Sequence, residues 1–157
     1  MTLTIGSIAF ATLLSTNIAW GNPVDDTELL CMTHAIYHEA ATEPTYGKVA
    51  VANVIRNRVE HRRFPDTYCA VVKQPSQFSY TLWEHRRHIQ INNHIDHKAF
   101  EESLIIALTV MTNSVQDTTS GATHYLNKSI VTRIPNWYSS AQKVGKFGNH
   151  HFVKLER

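Results

Sequence analysis

The sequence has no internal repeat, no low-complexity segment and no long disordered tail. Nothing in it reads as a repeat array or a tether. An excess of one charge is also missing. Lys and Arg number 15 against 13 Asp and Glu, and the formal net charge of +2 is too small to argue for nucleic acid. Cysteine is scarce, with two residues, Cys31 and Cys69. What remains is ordinary for a globular protein: 157 residues, 43% hydrophobic and 18% charged. That length suits one domain with a core of its own.

Charge is absent altogether from residues 3–20. Ala19-Trp20-Gly21 places small residues where a signal peptidase cuts, and Asn22-Pro23 follows. Residues 1–21 are therefore expected to be an export signal or a releasable membrane anchor, and residues 22–157 the working domain. The stretch lacks Lys and Arg before it and sits at the short edge for a bilayer span. A buried core helix is the alternative. An exported chain with two cysteines is expected to join them, so Cys31 and Cys69 are assigned to one disulfide. Two buried thiols are the other option.

Acids cluster early, at Asp25, Asp26, Glu28, Glu39 and Glu43. After Asp117 the only acid is Glu156, set against Lys128, Arg133, Lys143, Lys146, Lys154 and Arg157. A basic C-terminal third suits an anionic polymer or is simply a solvated surface.

The chain is organised around residues 31–60, which read as two helices with a break at Pro44. Asp25 or Asp26 caps the first helix. The second runs from about Gly47 to Val59, apolar along Val51, Val54, Ile55 and Val59. Glu39 lies one turn beyond Ala35 and Ile36, which puts a carboxyl in an apolar stripe. Burial there favours the protonated acid, the form that breaks a glycosidic bond. A solvated Glu at a helix end is the plainer alternative. Glu43 is expected to cap the second helix. Residues 98–115 carry a third amphipathic helix through Phe100, Leu104, Ala107, Leu108, Met111 and Val115.

Histidine is plentiful at ten residues. His34 and His38 are spaced i,i+4, a zinc-like spacing, and His85, His88, His94 and His97 cluster. The order is His-x-x-x-His-Glu and no third ligand is marked. No metal and no cofactor is therefore expected.

The runs YHEAATEP, GKVAVANVIRNRV and RFPDTYCAVVKQPSQFS, in that order, resemble the SleB/CwlJ family of bacterial cell-wall hydrolases, a type also found in phage lysis enzymes. Gly121, Ala122, Tyr125 and Asn127 fit a later segment of that family, and Pro135, Trp137, Gly148, Asn149, His150 and Phe152 fit its end. The likeness spans about residues 28–153 and is weakest over 80–97. It departs where members often read Glu-Ala-Arg-Gly, since Ala41 and Thr42 stand here.

The resemblance implies a mainly α, single lysozyme-like domain, with α+β and minor strands allowed. It implies cleavage of peptidoglycan glycan strands after N-acetylmuramic acid, with Glu39 as the catalytic acid. It places Gln77, Phe78 and Ser79 by the cleft. Tyr37, Tyr125, Asn127 and His150 join them as substrate-binding candidates, though each ring could equally pack the core. Glu43, Asp66 and Asp117 are poor second carboxylates. One carboxylate suffices if the muramic 6-hydroxyl attacks, so a lytic transglycosylase is favoured over hydrolysis by water. A metal-dependent hydrolase and a non-catalytic wall-binding protein are the remaining classes. The expected partner is peptidoglycan and not nucleic acid. The protein is expected to be an exported monomer whose N-terminal segment associates transiently with membrane.

Overall fold

Helix α1, Asp26–Ala40, starts where the Asp25 carboxylate accepts the N–H groups of Thr27 and Glu28, at 2.8 and 3.1 Å. Its Met32, Ala35 and Ile36 face inward and are fully buried. Pro44 then supplies the extended residue that opens helix α2, Thr45–Val59. The computed structural model describes residues 23–75, 77–82 and 89–155, and for Ser79 and Leu82 the backbone alone. The N-terminal segment proposed as a signal or anchor lies outside the described residues, as do His85 and His88. Among the described residues no helix is long and apolar enough to cross a membrane.

Helix α3, Tyr68–Val72, is capped by the Thr67 hydroxyl. A 3-10 turn covers Ser79–Leu82. Helix α4, His94–Met111, is capped by Asn93 and starts earlier than the 98–115 pattern suggests. Its end falls at Thr112, because Asn113 takes a left-handed φ of 54°. Strand β1, His124–Leu126, helix α5, Asn136–Ser140, and strands β2, Gln142–Phe147, and β3, His150–Lys154, complete the chain. The strands form an antiparallel sheet ordered β1-β3-β2, with Tyr125 opposite Phe152. The fold is thus mainly α with a small sheet.

Helix α2 is central. It buries Val51, Val54 and Ile55, but also Lys48, Asn53, Arg56 and Arg58. Ile36, Ile55, Val71, Phe78, Ile106 and Val110 share one cluster between the helices. Val51, Val54 and Phe152 share another beneath the sheet. Full burial of each such side chain contributes about 1.5–3 kcal/mol. Partners accompany the burial of Lys48, Arg56 and Arg58. Lys48 meets Glu102 at 2.6 Å, and Thr45 donates to the same carboxylate at 2.5 Å. Arg56 reaches Asn113 Oδ1 at 3.1 Å, and Arg58 Nε donates to the Thr123 carbonyl at 2.8 Å. The Cys31–Cys69 disulfide joins α1 to α3, with Cα atoms 5.1 Å apart.

Glu43 does not cap α2. The cap position is Pro44, and no side chain bonds there. The Glu43 carboxylate points instead across the fold to the β2–β3 turn. It accepts the Asn149 N–H at 2.8 Å and the Asn149 side-chain amide at 3.0 Å.

Candidate active site

Glu39 is the penultimate residue of α1, half-buried where the helix runs under the sheet. It is not the solvated helix-end residue that spacing also allowed. The Tyr125 hydroxyl, delivered by β1, donates to Glu39 Oε2 at 3.5 Å. Burial, and then the Glu39 carboxylate, push the Tyr125 phenol well above its ordinary pKa, with Arg58 opposing. Tyr80 arrives from the 3-10 turn, and its phenol is also pushed up by burial and by Glu39. Its ring stacks on His38, with centroids 4.3 Å apart and planes 17° apart. Two neutral phenols therefore flank the carboxyl.

His150 stands edge-on to the Tyr125 ring at 5.0 Å, and its Nδ1 lies 3.7 Å from Glu43 Oε1. Burial pushes the His150 pKa down while Glu43 opposes. Glu43, His150, Tyr125 and Glu39 thus form a continuous packed line.

The remaining candidate residues separate. Phe78 is 1% exposed and sits in the helical core beneath the Arg58 guanidinium, so no face of it is open to a sugar. Tyr80 is 6% exposed and turned toward His38. Burial of an aromatic ring outweighs the loop-like look of a segment that holds Pro75 and Ser76. Gln77 is exposed. The Ser79 side chain lies outside the described residues. Tyr37 is half-buried and packs edge-on to Phe100 of α4 at 6.3 Å; burial and Asp96 push its phenol up. Asn127 turns back on its own chain, accepting from the Ser129 N–H at 3.0 Å and from the Ser129 hydroxyl.

None of the second-carboxylate candidates faces Glu39. Glu43 is held by Asn149. Asp117 accepts from Thr119, Gly121 and Asn57; burial raises its pKa, but these bonds outweigh it and hold it below the usual range. Asp66 lies beside Asp25 and Glu28, at the opposite end of α1. Among the described residues no three His, Cys, Asp or Glu gather as metal ligands. His34 packs edge-on to Phe100 at 6.3 Å, and exposed His97 sits 3.4 Å from Glu101.

A cavity of about 550 Å³ is lined by Thr27, Leu30, Cys31 and His34 of α1 and by Tyr80 and Thr81. Glu39 is not among its lining residues, and the cavity meets the site only through Tyr80. Sequence reasoning missed Arg58 as a neighbour of the site. The only available signal was an arginine on the apolar helix, in the Asn57-Arg58-Val59 run.

Chemically, this is a half-buried carboxyl with one oxygen held by a phenol and no second acid among the candidates opposite it. It can give a proton to a leaving oxygen and later take one back.

A profile of the Cell Wall Hydrolase family matches residues 42–153, beginning just after Glu39. A spore cortex-lytic enzyme of Halalkalibacterium halodurans is 33% identical over 138 residues, covering 88% of this chain and 37% of that protein. One from Bacillus cereus is 31% identical over 139 residues, covering 88% of this chain and 48% of that protein. This chain therefore spans less than half the length of these relatives. The solved catalytic domain of the germination-specific lytic transglycosylase SleB from Bacillus anthracis superposes with a TM-score of 0.64 at 28% identity, covering 86% of this chain and all of that one. The catalytic domain of the Bacillus cereus SleB protein gives the same score and identity, covering 85% and 94%. With most of its length matched by the family profile and by these relatives, the chain belongs to the Cell Wall Hydrolase family.

Proposed function

We propose that this protein cleaves peptidoglycan glycan strands after N-acetylmuramic acid as a lytic transglycosylase, with Glu39 as its single catalytic carboxyl. The observation that carries the reading is the setting of Glu39: half-buried, held by Tyr125, with Glu43 and Asp117 committed elsewhere. The likeness to a lytic transglycosylase domain supports the same route.

Glu39 donates its proton to the glycosidic oxygen, and the bond to muramic C1 breaks. Glu39, now a carboxylate, takes the proton of the muramic 6-hydroxyl as that oxygen bonds to C1. A 1,6-anhydro end results, no water is consumed, and Glu39 regains its proton. The chemistry asks nothing of a cofactor.

Residues 1–21 act as an export signal or releasable anchor, and residues 22–157 carry the activity. The disulfide and the spore cortex-lytic relatives support an exported protein.

Mass spectrometry of digested peptidoglycan tests the function. Wild type yields anhydro-muramyl ends, and Glu39→Gln yields none while keeping its circular dichroism. Loss of a positioned acid costs about 10²–10⁴ in rate. Reducing muramyl ends would establish hydrolysis by water instead, and wild-type turnover by Glu39→Gln would remove the residue from the reaction.

A further inference from the structure

Tyr125 was a candidate for touching substrate, but its geometry aims it elsewhere. On β1 its ring is clamped between His150, edge-on at 5.0 Å, and Phe152, tilted at 5.5 Å. Both belong to β3, the centre of the sheet. Packing against two rings of the central strand holds the Tyr125 ring in place. Its one polar atom is spent on Glu39 Oε2.

The surroundings keep that phenol a donor. The ionisable groups that the described residues bring toward the pair are Tyr80 from the 3-10 turn, Arg58 from α2, His150 from β3 and, on the same helix as Glu39, His38. Burial and Glu39 disfavour the phenolate more than Arg58 favours it. Burial likewise disfavours a charged His150. Over the neutral range Tyr125 is thus a neutral O–H pointed at a carboxyl that must change charge within each turnover.

We propose that Tyr125 is a positioning residue of the reaction, whose O–H holds one oxygen of Glu39 and stabilises the carboxylate between proton donation and proton recovery. The proposal rests on the transglycosylase reading above. A hydrogen bond to the ionised form favours that form, and such a bond shortens and strengthens once the acceptor is charged. At 3.5 Å it is long at rest and has room to tighten when Glu39 loses its proton. The same bond limits the rotation of the carboxyl.

Tyr125→Phe keeps the ring and removes the donor. The experiment is the pH dependence of kcat and KM on purified peptidoglycan, with the melting temperature taken on the same samples. Without its donor the Glu39 carboxylate is less stable and its pKa rises. The acid form then persists further, so the alkaline limb of kcat moves up by about one pH unit. The expected fall in kcat is roughly tenfold, with KM unchanged. Phe147→Leu, which loosens the same ring cluster through Phe152 without touching the hydroxyl, leaves the limb where it is. Wild type made with 3-fluorotyrosine, a stronger donor, moves the limb down, and this arm needs no variant to fold. A raised KM with an unmoved limb in Tyr125→Phe would make the tyrosine a substrate contact and overturn the proposal. So would a profile identical to wild type. Inactive Glu39→Gln beside an unmoved Tyr125→Phe profile sinks this proposal alone, whereas active Glu39→Gln sinks the function it rests on as well.

Discussion

Substituting Gly148 by alanine should cost this protein much of its stability, and the structure says how much. Gly148 begins the β2–β3 turn at a φ of +61°. A Cβ added there would stand 1.9 Å from Glu43 Oε2, 3.0 Å from Glu43 Cδ and 3.3 Å from Pro44 Cδ. Glu43 has nowhere cheap to go. Its carboxylate is buried and already accepts the Asn149 backbone N–H and side-chain amide, at 2.8 and 3.0 Å. Holding alanine in left-handed backbone costs about 1–2 kcal/mol. Pulling a charged acceptor off its donors costs about 1.5–3 kcal/mol more. Together these give a loss of about 3–5 kcal/mol, or roughly 10 °C in melting temperature for a chain of this size. Thermal melting followed by circular dichroism reads it. Glu43→Ala removes the atom that the new methyl would strike, so the double variant should cost less than the two single losses added together. A Gly148→Ala protein melting within about 2 °C of wild type, or strictly additive losses, would refute the contact argument.

Further outcomes concern the disulfide and acid stability. Cys31→Ser/Cys69→Ser opens a bridge spanning 38 residues and should lower unfolding free energy by about 3–4 kcal/mol in the chain-entropy model, read from denaturant midpoints. Two titratable thiols in the unfolded, non-reduced protein, produced in an oxidising compartment, would contradict the bridge itself. His124 packs on Phe64 and Trp137, and burial, helped by Arg58 and Arg63, pushes its pKa down to about 4. The unfolded chain protonates this ring near its ordinary 6.5 and the fold does not. The resulting stability is full above that value and is lost as pH falls from 6.5 toward 4. A proton NMR titration of the His124 ring with a midpoint near 6.5 would refute this, and His124→Phe should flatten the acid fall in melting temperature.

Much of the helical half was legible from residues alone. Asp25 caps α1, Pro44 opens α2, and Ala35 and Ile36 carry the apolar face that leads to Glu39. These features are set by neighbours within a turn of one another, so spacing reveals them. The pairing of Cys31 with Cys69 was legible because no other cysteine exists to compete. Helix α2 was legible only in part. Its buried Lys48, Arg56 and Arg58 look like surface residues until Glu102, Asn113 and Thr123 arrive from 54, 57 and 65 residues away. Tertiary structure alone decided what surrounds Glu39. Tyr125 comes from 86 residues further along, and Glu43 turns from an expected cap to hold Asn149, 106 residues away. No local pattern encodes such distances. They follow from a short sheet folding back over the end of α1, and the protonation setting of a carboxyl depends on which groups that return brings beside it.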